Sequence, residues 1–366
     1  MDSALIDIPY TRPGRTARQT FDWALANARV ADEAGVTEMM IAEHATQLWE
    51  NIPSPELVIA AAATQTKRIR FAPMAHLLPN HHPSNLAIMV GWLSQVLEGR
   101  YFLGVGAGAY PDSALVHGLP PDMSESAARV RESLEIMEKI WKREPFKHAG
   151  KFYKAGFPED PRDHDPNSTH LLSDFSPWGG KMEIAVSGLS LNSPSIKFAG
   201  EMGYKPVSFF SGAAVLKNHW QTYEQAALAN GHTPHRKSHR VSLDIFVADT
   251  DKEARRLALN GPIGYCWEHY LLPLYKRFNL LASHIADSGA HESDVNLEWL
   301  CDNMWICGSP ATVREKVEAL MDKTGGWGTL MMPVHDFSDD PGPWFQSVQL
   351  FATEVAPKIK LPFKMS

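Results

Sequence analysis

The chain predicts an α/β fold, specifically a (β/α)8 barrel, on three observations. Apolar runs of strand length alternate with amphipathic runs of helix length almost from end to end. Those alternating units number close to eight, and 366 residues with 44% hydrophobic content suffice for one large core. A doubly wound open sheet has the same rhythm, so periodicity leaves it open.

The elements follow in order. Residues 4–8 read as a first strand, YTRPGR as a loop, and 18–34 as a helix closed by Gly35. The stretch 36–44, VTEMMIAEH, is a strand whose tip carries Glu43 and His44; the carboxyl ends of such strands are where barrels meet their ligands. ELVIAAAATQT is a helix, RIRFAPMAHLL a β-like run carrying a proline, and SNLAIMVGWLSQVLEG a helix leading into the strand RYFLGVGAG. From 124 to 141, Val130, Leu134, Met137 and Trp141 make one apolar helical stripe. Residues 145–180, rich in Pro, Asp and His, read as an excursion over the barrel mouth. Strands at MEIAVSG, YKPVSFF, 241–248 and GTLMMPV alternate with helices, and SPATVREKVEALMDKTG has Ser309 as its cap and Pro310 just inside. Residues 261–303 form a second, helical and aromatic insertion, so 1–366 is expected to be one barrel domain with two insertions over its carboxyl-end face.

A net charge of −7 gives no general attraction to nucleic acid or anionic lipid, which favours a small-molecule partner. Cys266, Cys301 and Cys307 show no CxxC spacing, which argues against a disulfide framework or thiolate zinc site and fits a reducing cytoplasm. The first residues lack a basic-then-apolar leader, and no apolar run approaches the roughly 20 residues that span a bilayer.

Several residues are candidates for chemistry. GVGAG, Gly104–Gly108, lets backbone approach a ligand, or simply turns the chain; it lacks the third glycine of a dinucleotide fingerprint, and no helix pattern opens there. His76, His81 and His82 show no carboxylate at metal spacing and read as turn and rim histidines, with no metal expected. Arg129, Arg131 and Ser193 stand near helix starts, where guanidinium or hydroxyl groups suit an anion or pair locally. Trp49, Tyr110, Phe209, Phe210, Trp267 and Tyr270 cluster near strand ends and would wall an apolar pocket for a hydrophobic substrate or flavin-like ring, or pack the core. No GxSxG elbow supports a serine hydrolase.

Together, MMIAEHATQLWENIPSPELVIAAAATQTKRIRFAPMAHLLPNHHP, WLSQVLEGRYFLGVGAGAYP, VRESLEIMEKIWKREPF, SPWGGK, NSPS and GGWGTL resemble the bacterial luciferase-like flavin monooxygenases. Within them the chain most resembles the diketocamphane monooxygenases, FMN-dependent type II Baeyer–Villiger enzymes; TRPGRTARQTFDW and GPIGYCWEHYLLP fit that narrower group. The resemblance implies a luciferase-like (β/α)8 barrel, a homodimer, reduced FMN from a separate NADH:FMN reductase, O2 as cosubstrate, and a cyclic, terpenoid ketone converted to a lactone. It implies His44 as the catalytic residue, a non-prolyl cis peptide at Met74–Ala75, and Ala107, Gly108, Arg129 and Ser193 near the flavin or its phosphate. Trp49, Tyr110, Phe209, Phe210 and Trp267 would wall the ketone pocket. Ala45 stands where luciferases have a second histidine and Ala107 where they have a phosphate-binding arginine, so luminescence is not expected and the phosphate is held differently. A deazaflavin-dependent oxidoreductase and a non-catalytic flavin-binding protein share the barrel and remain the alternatives.

Overall fold

The structure is a computed structural model that describes residues 1–169, 172–209 and 212–364. Its strands are β1 (Asp2–Asp7), β2 (Glu38–Ile41), β3 (Arg70–Pro73), β4 (His76–Leu77), β5 (Leu103–Gly106), β6 (Phe146–Ala149) and β7 (Lys154–Phe157). They continue with β8 (Ile184–Gly188), β9 (Lys205–Phe209), β10 (Arg240–Ser242), β11 (Ile245–Val247), β12 (Ile306–Gly308) and β13 (Thr329–Pro333). Nine of them form one sheet in the order β3-β2-β1-β13-β10-β9-β8-β5-β4, and each of its pairings is parallel.

The two ends of that order are a single strand broken in the middle. β3 pairs with β2 and β4 pairs with β5, and only the cis peptide Met74–Ala75 separates the halves. The nine strands therefore occupy eight positions and the sheet closes into a barrel. The neighbouring strand must yield at the break. A Cβ on Gly104 would lie 2.1 Å from the Pro73 carbonyl oxygen and 2.7 Å from the end of the Met74 side chain, so only glycine lets β5 lie against it.

The eight barrel strands stand where the apolar runs placed them, and the helices between them follow the expected stops. Helix Ala17–Ala34 begins with a Thr16–Gln19 capping box and ends on Gly35 in the left-handed region. Val130, Leu134, Met137 and Trp141 are buried on helix Ser126–Lys142. Ser309 caps helix Pro310–Thr324 by accepting from the Thr312 N–H.

Three local readings are corrected. The run 241–248 is two strands, because the chain leaves the barrel after β10 and β11 pairs with β12 instead. Between them Asp244 is buried and accepts from the Trp267 indole N–H at 3.1 Å. Among the described residues of 145–180, none lines the cavity at the strand tips. Their β6–β7 hairpin packs on helix Ser126–Lys142, where Glu132 accepts from the N–H groups of Phe152 and Tyr153, and the stretch beyond it runs along helix Pro83–Val96. Its polar backbone finds partners there, so the excursion needs few apolar residues. Finally, a short helix, Pro111–Val116, does follow the glycine run. The helical segment between β11 and β12 does lie over the carboxyl ends of the strands, contributing Leu271, Leu274 and Tyr275 to the cavity there.

Charge crosses the opposite end. Arg240 donates to both oxygens of Glu38, at 2.7 and 2.8 Å, and to Glu183 at 2.8 Å, while Arg70 donates to the same two carboxylates at 3.0 and 3.2 Å. Both guanidinium groups lie within 5 Å of the Phe102 ring centre. These residues start or precede their strands, so two arginines and two glutamates close the barrel floor without net charge.

Side chains alternate across each strand, which puts Glu38, Met40, Ala42 and His44 inside the barrel and Asp7 of β1 on the outer, helix-facing side. Neither Asp7 carboxyl oxygen has a hydrogen-bond partner among the described residues, and burial pushes its pKa up to about 7. A carboxyl raised in the folded state contributes its full stability below its unfolded pKa and loses it as pH rises through the folded value. Asp7→Asn should therefore gain on the parent chain between about pH 4 and about pH 8, by on the order of 4 kcal/mol. Urea unfolding at the two pH values checks this; a difference independent of pH contradicts it.

Candidate active site

The carboxyl ends of the strands surround a cavity of about 220 Å³. Ile8 and Tyr10 follow β1; Ala42, His44 and Glu50 follow β2; Met74, Ala75 and Leu77 come from the broken strand; Gly106–Tyr110 come from the end of β5. Ser187, Leu189 and Phe209 complete the strand side. Larger clefts of about 730 and 720 Å³ lie at the amino end of β8 and β9 and along helix Pro310–Thr324, away from the strand tips.

The two residues at the tip of β2 part company. Glu43 points away from the cavity, where its Oε2 lies 2.6 Å from Nδ1 of the fully buried His76 and both its oxygens lie 2.9 Å from His81 Nε2. This corrects the reading of His76 and His81 as rim residues without a carboxylate: the partner comes from the neighbouring strand, which spacing within one segment cannot show. His82 caps helix Pro83–Val96, accepting from the Ser84 N–H. Burial alone would raise the Glu43 carboxyl, but hydrogen bonds from the two imidazoles outweigh it and bring the pKa down to about 2. Ligand atoms of Glu43, His76 and His81 lie within 4.8 Å of one another, near enough to hold a metal ion; at 2.6–2.9 Å they are joined directly by hydrogen bonds. The cluster ties the tip of β2 to β4, and so fixes the backbone that carries His44.

His44 turns the other way. Its N–H donates to the Ile52 carbonyl at 2.9 Å, its ring meets Tyr110 edge-on at 5.3 Å, and Nε2 lies 3.2 Å from Glu50 Oε2. Nδ1 is buried without a partner. Glu50 also accepts from Tyr270 at 2.9 Å and from Tyr110 at 3.4 Å, and Tyr270 stacks on Trp49 with ring centres 5.4 Å apart. Burial, followed by the Glu50 charge, pushes both phenols well above their ordinary pKa, so they stay protonated donors.

The structure thus brings His44, Met74, Ala75, Ala107, Gly108, Tyr110 and Phe209 around one cavity, with Trp49 behind Tyr270 at its edge. Trp267 stands off: it is fully buried, packs on Tyr275 and Trp305, and supports the wall instead of lining it. Arg129 also lies outside the lining, paired with Glu125 at 3.1 Å with its guanidinium over Phe152 at 4.3 Å. Arg131 pairs with Glu201 on the surface. Ser193 caps helix Pro194–Met202 beside the end of β8, close enough that a Cβ on Gly188 would come within 2.7 Å of its Oγ. Phe210 lies outside the described residues. Sequence reading missed Tyr10, Glu50 and Tyr275 as lining residues. Tyr10 directly follows a strand and was findable by position; Glu50 sits in an irregular loop with no periodic signal.

The Luciferase-like monooxygenase family model matches residues 4–326. The chain is 57% identical to 3,6-diketocamphane 1,6-monooxygenase of Pseudomonas putida, with 99% of each chain covered, and 50% identical to 2,5-diketocamphane 1,2-monooxygenase 1 of the same organism, with 99% of this chain and 100% of that one covered. A solved structure of the oxygenating constituent of 3,6-diketocamphane monooxygenase from Pseudomonas putida, a type II Baeyer–Villiger monooxygenase in complex with FMN, superposes with a TM-score of 0.96 at 58% identity over the whole of both chains. With a closed barrel, a cavity at its strand tips and this degree of likeness, the chain belongs to the luciferase-like monooxygenases.

Proposed function

We propose that this chain is the oxygenating component of a two-component Baeyer–Villiger monooxygenase. Reduced FMN from a separate NADH:FMN reductase, O2 and a cyclic terpenoid ketone are consumed, and a lactone, FMN and water leave. The observation that carries this reading is the full-length likeness, at 58% identity, to a chain that binds FMN, with a cavity at the strand tips of this one.

The residues fit a flavin ring. Gly106 leaves open a place where a Cβ would come within 3.2 Å of Ala75, and Gly108 has a φ of +87°, so backbone instead of side chains faces that side of the cavity. Met74 and Ala75 would support one face of the ring, and Ala107 and Gly108 its edge. Ser193, at a helix N-terminus, and Arg129 are proposed for the phosphate in place of the arginine missing at Ala107.

Bound reduced FMN supplies the two electrons that activate O2. The chain does the rest: the apolar wall keeps water out, and His44 places an imidazole where it can donate a hydrogen bond or hold a proton as the ketone oxygen gains charge. Phe209, Tyr110 and the Leu271–Tyr275 cover suit a compact alicyclic ketone.

We also propose a homodimer. Ile88, Trp92 and Val96 recur every four residues on helix Pro83–Val96 at 43%, 61% and 48% exposure, and Leu57 on helix Pro55–Ala63 is 65% exposed. Such an apolar face supports burial against a second copy. Three free, buried cysteines support a cytoplasmic placement, and among the described residues no helix is long and apolar enough to cross a membrane.

The reading is tested by adding anaerobically reduced FMN, then O2 and a panel of cyclic ketones; a product heavier by one oxygen supports it, and oxidised FMN with every ketone unchanged contradicts it. His44→Ala is expected to keep the parent's melting temperature and lower lactone yield by roughly a hundred-fold or more; undiminished yield removes His44 from the chemistry. Trp92→Glu should sediment as a monomer under conditions where the parent sediments as a dimer, and an unchanged dimer puts the interface elsewhere.

A further inference from the structure

Glu50 lies in an irregular loop after β2, 4% exposed, yet its carboxylate faces two phenol hydroxyls and an imidazole nitrogen, each from a different part of the chain. Tyr270, from the helical cover, donates to Oε1 at 2.9 Å; Tyr110, from the end of β5, donates to Oε2 at 3.4 Å; and His44 Nε2 lies 3.2 Å from that same Oε2. The two phenol oxygens are 3.3 Å apart, which closes the group on itself. The other nitrogen of His44, Nδ1, is buried and meets no partner among the described residues, which leaves Nε2 as the one turned toward the cavity that His44 and Glu50 both line.

These facts bear on where His44 keeps its proton. A buried N–H without an acceptor costs more than a buried imidazole lone pair, so Nδ1 favours the bare state. A carboxylate oxygen beside Nε2 favours a hydrogen on that nitrogen. The two preferences come from different parts of the structure and select the same tautomer. A histidine held this way carries its hydrogen on Nε2, the nitrogen beside Glu50 and the cavity.

We propose that Glu50 is a positioning residue for oxygenation: its carboxylate fixes the His44 proton on Nε2, facing the cavity, and through Tyr110 and Tyr270 links that histidine to the helical cover. The consequence for turnover rests on the function proposed above; the tautomer itself does not. When the cover is seated, Tyr270 occupies Oε1 and Glu50 is held against His44. With the cover displaced, Glu50 would lose that donor and keep the one from Tyr110.

The experiment is nitrogen NMR on ligand-free protein with ¹⁵N-labelled histidine, the His44 signals being assigned by their loss in His44→Asn. The parent chain should show a protonated Nε2 and a bare Nδ1 for His44, and Glu50→Gln should move both nitrogens toward averaged values while Glu50→Asp keeps them near the parent's. A parent His44 protonated on Nδ1, or a tautomer that Glu50→Gln leaves untouched, overturns the proposal. In turnover, Glu50→Gln should lower kcat by roughly ten-fold or more, the loss of a hydrogen bond to a charged group, with the KM for ketone changed much less. A KM effect alone would make Glu50 a binding residue and also overturn it. Because the NMR arm contains no flavin, a shifted tautomer in a chain that oxygenates no ketone would sink the functional reading and leave the role of Glu50 intact.

Discussion

The barrel closes through a strand that is broken in its middle, and the rest of the architecture answers to that break. β3 must pair with β2 and β4 with β5, so the cis peptide Met74–Ala75 sits at the last seam of the closed sheet. A seam there has two consequences. The facing strand needs glycine at 104 to lie close, and at Gly106, on the cavity, an added Cβ would press on Ala75 at 3.2 Å. The backbone so bared then lines the cavity together with Met74 and Ala75. The device that closes the sheet is also the wall of the site.

Polar groups are distributed around this seam by the alternation of strand side chains. At the amino end, Arg240, Arg70, Glu38 and Glu183 neutralise one another inside the barrel. At the carboxyl end the polarity divides at one peptide unit. Glu43 faces outward and locks β2 to β4 through His76, while His44 faces inward toward Glu50. The outward pair holds the tip of β2 against β4 and the inward pair lines the cavity; a site built on anchored strand ends keeps its geometry better than one on a free loop.

Much of the fold was legible because it rests on local pattern. Eight apolar runs at strand length, Gly35 after a helix and Ser309–Pro310 before one each report a backbone requirement that neighbours in sequence satisfy. The division of 241–248 was not legible, since an unbroken apolar run does not say which strand it pairs with, and the turn is set by Asp244 meeting Trp267 across 23 residues. The course of 145–180 was misread for a similar reason: Glu132, which holds the hairpin, belongs to the preceding helix and carries no mark of that task. In the site, position on a strand tip was enough to make His44 and the run Gly104–Gly108 candidates, while Ala107 and Gly108 were singled out through the resemblance. Glu50, joined to Tyr270 across 220 residues, could not be named from position, and neither could the pairing of Glu43 with His76 and His81. Trp267 shows the converse limit, because an aromatic residue near a strand end can pack behind a wall as readily as form it.

The account depends most on the cavity at the strand tips being the flavin site, with His44 at its edge. A crystal structure of the chain soaked with FMN tests this directly. An isoalloxazine ring should lie between Met74–Ala75 and Gly106–Gly108, with His44 in contact with it and the phosphate toward Ser193. Flavin density in another cleft, or an empty cavity beside saturating FMN, would contradict it.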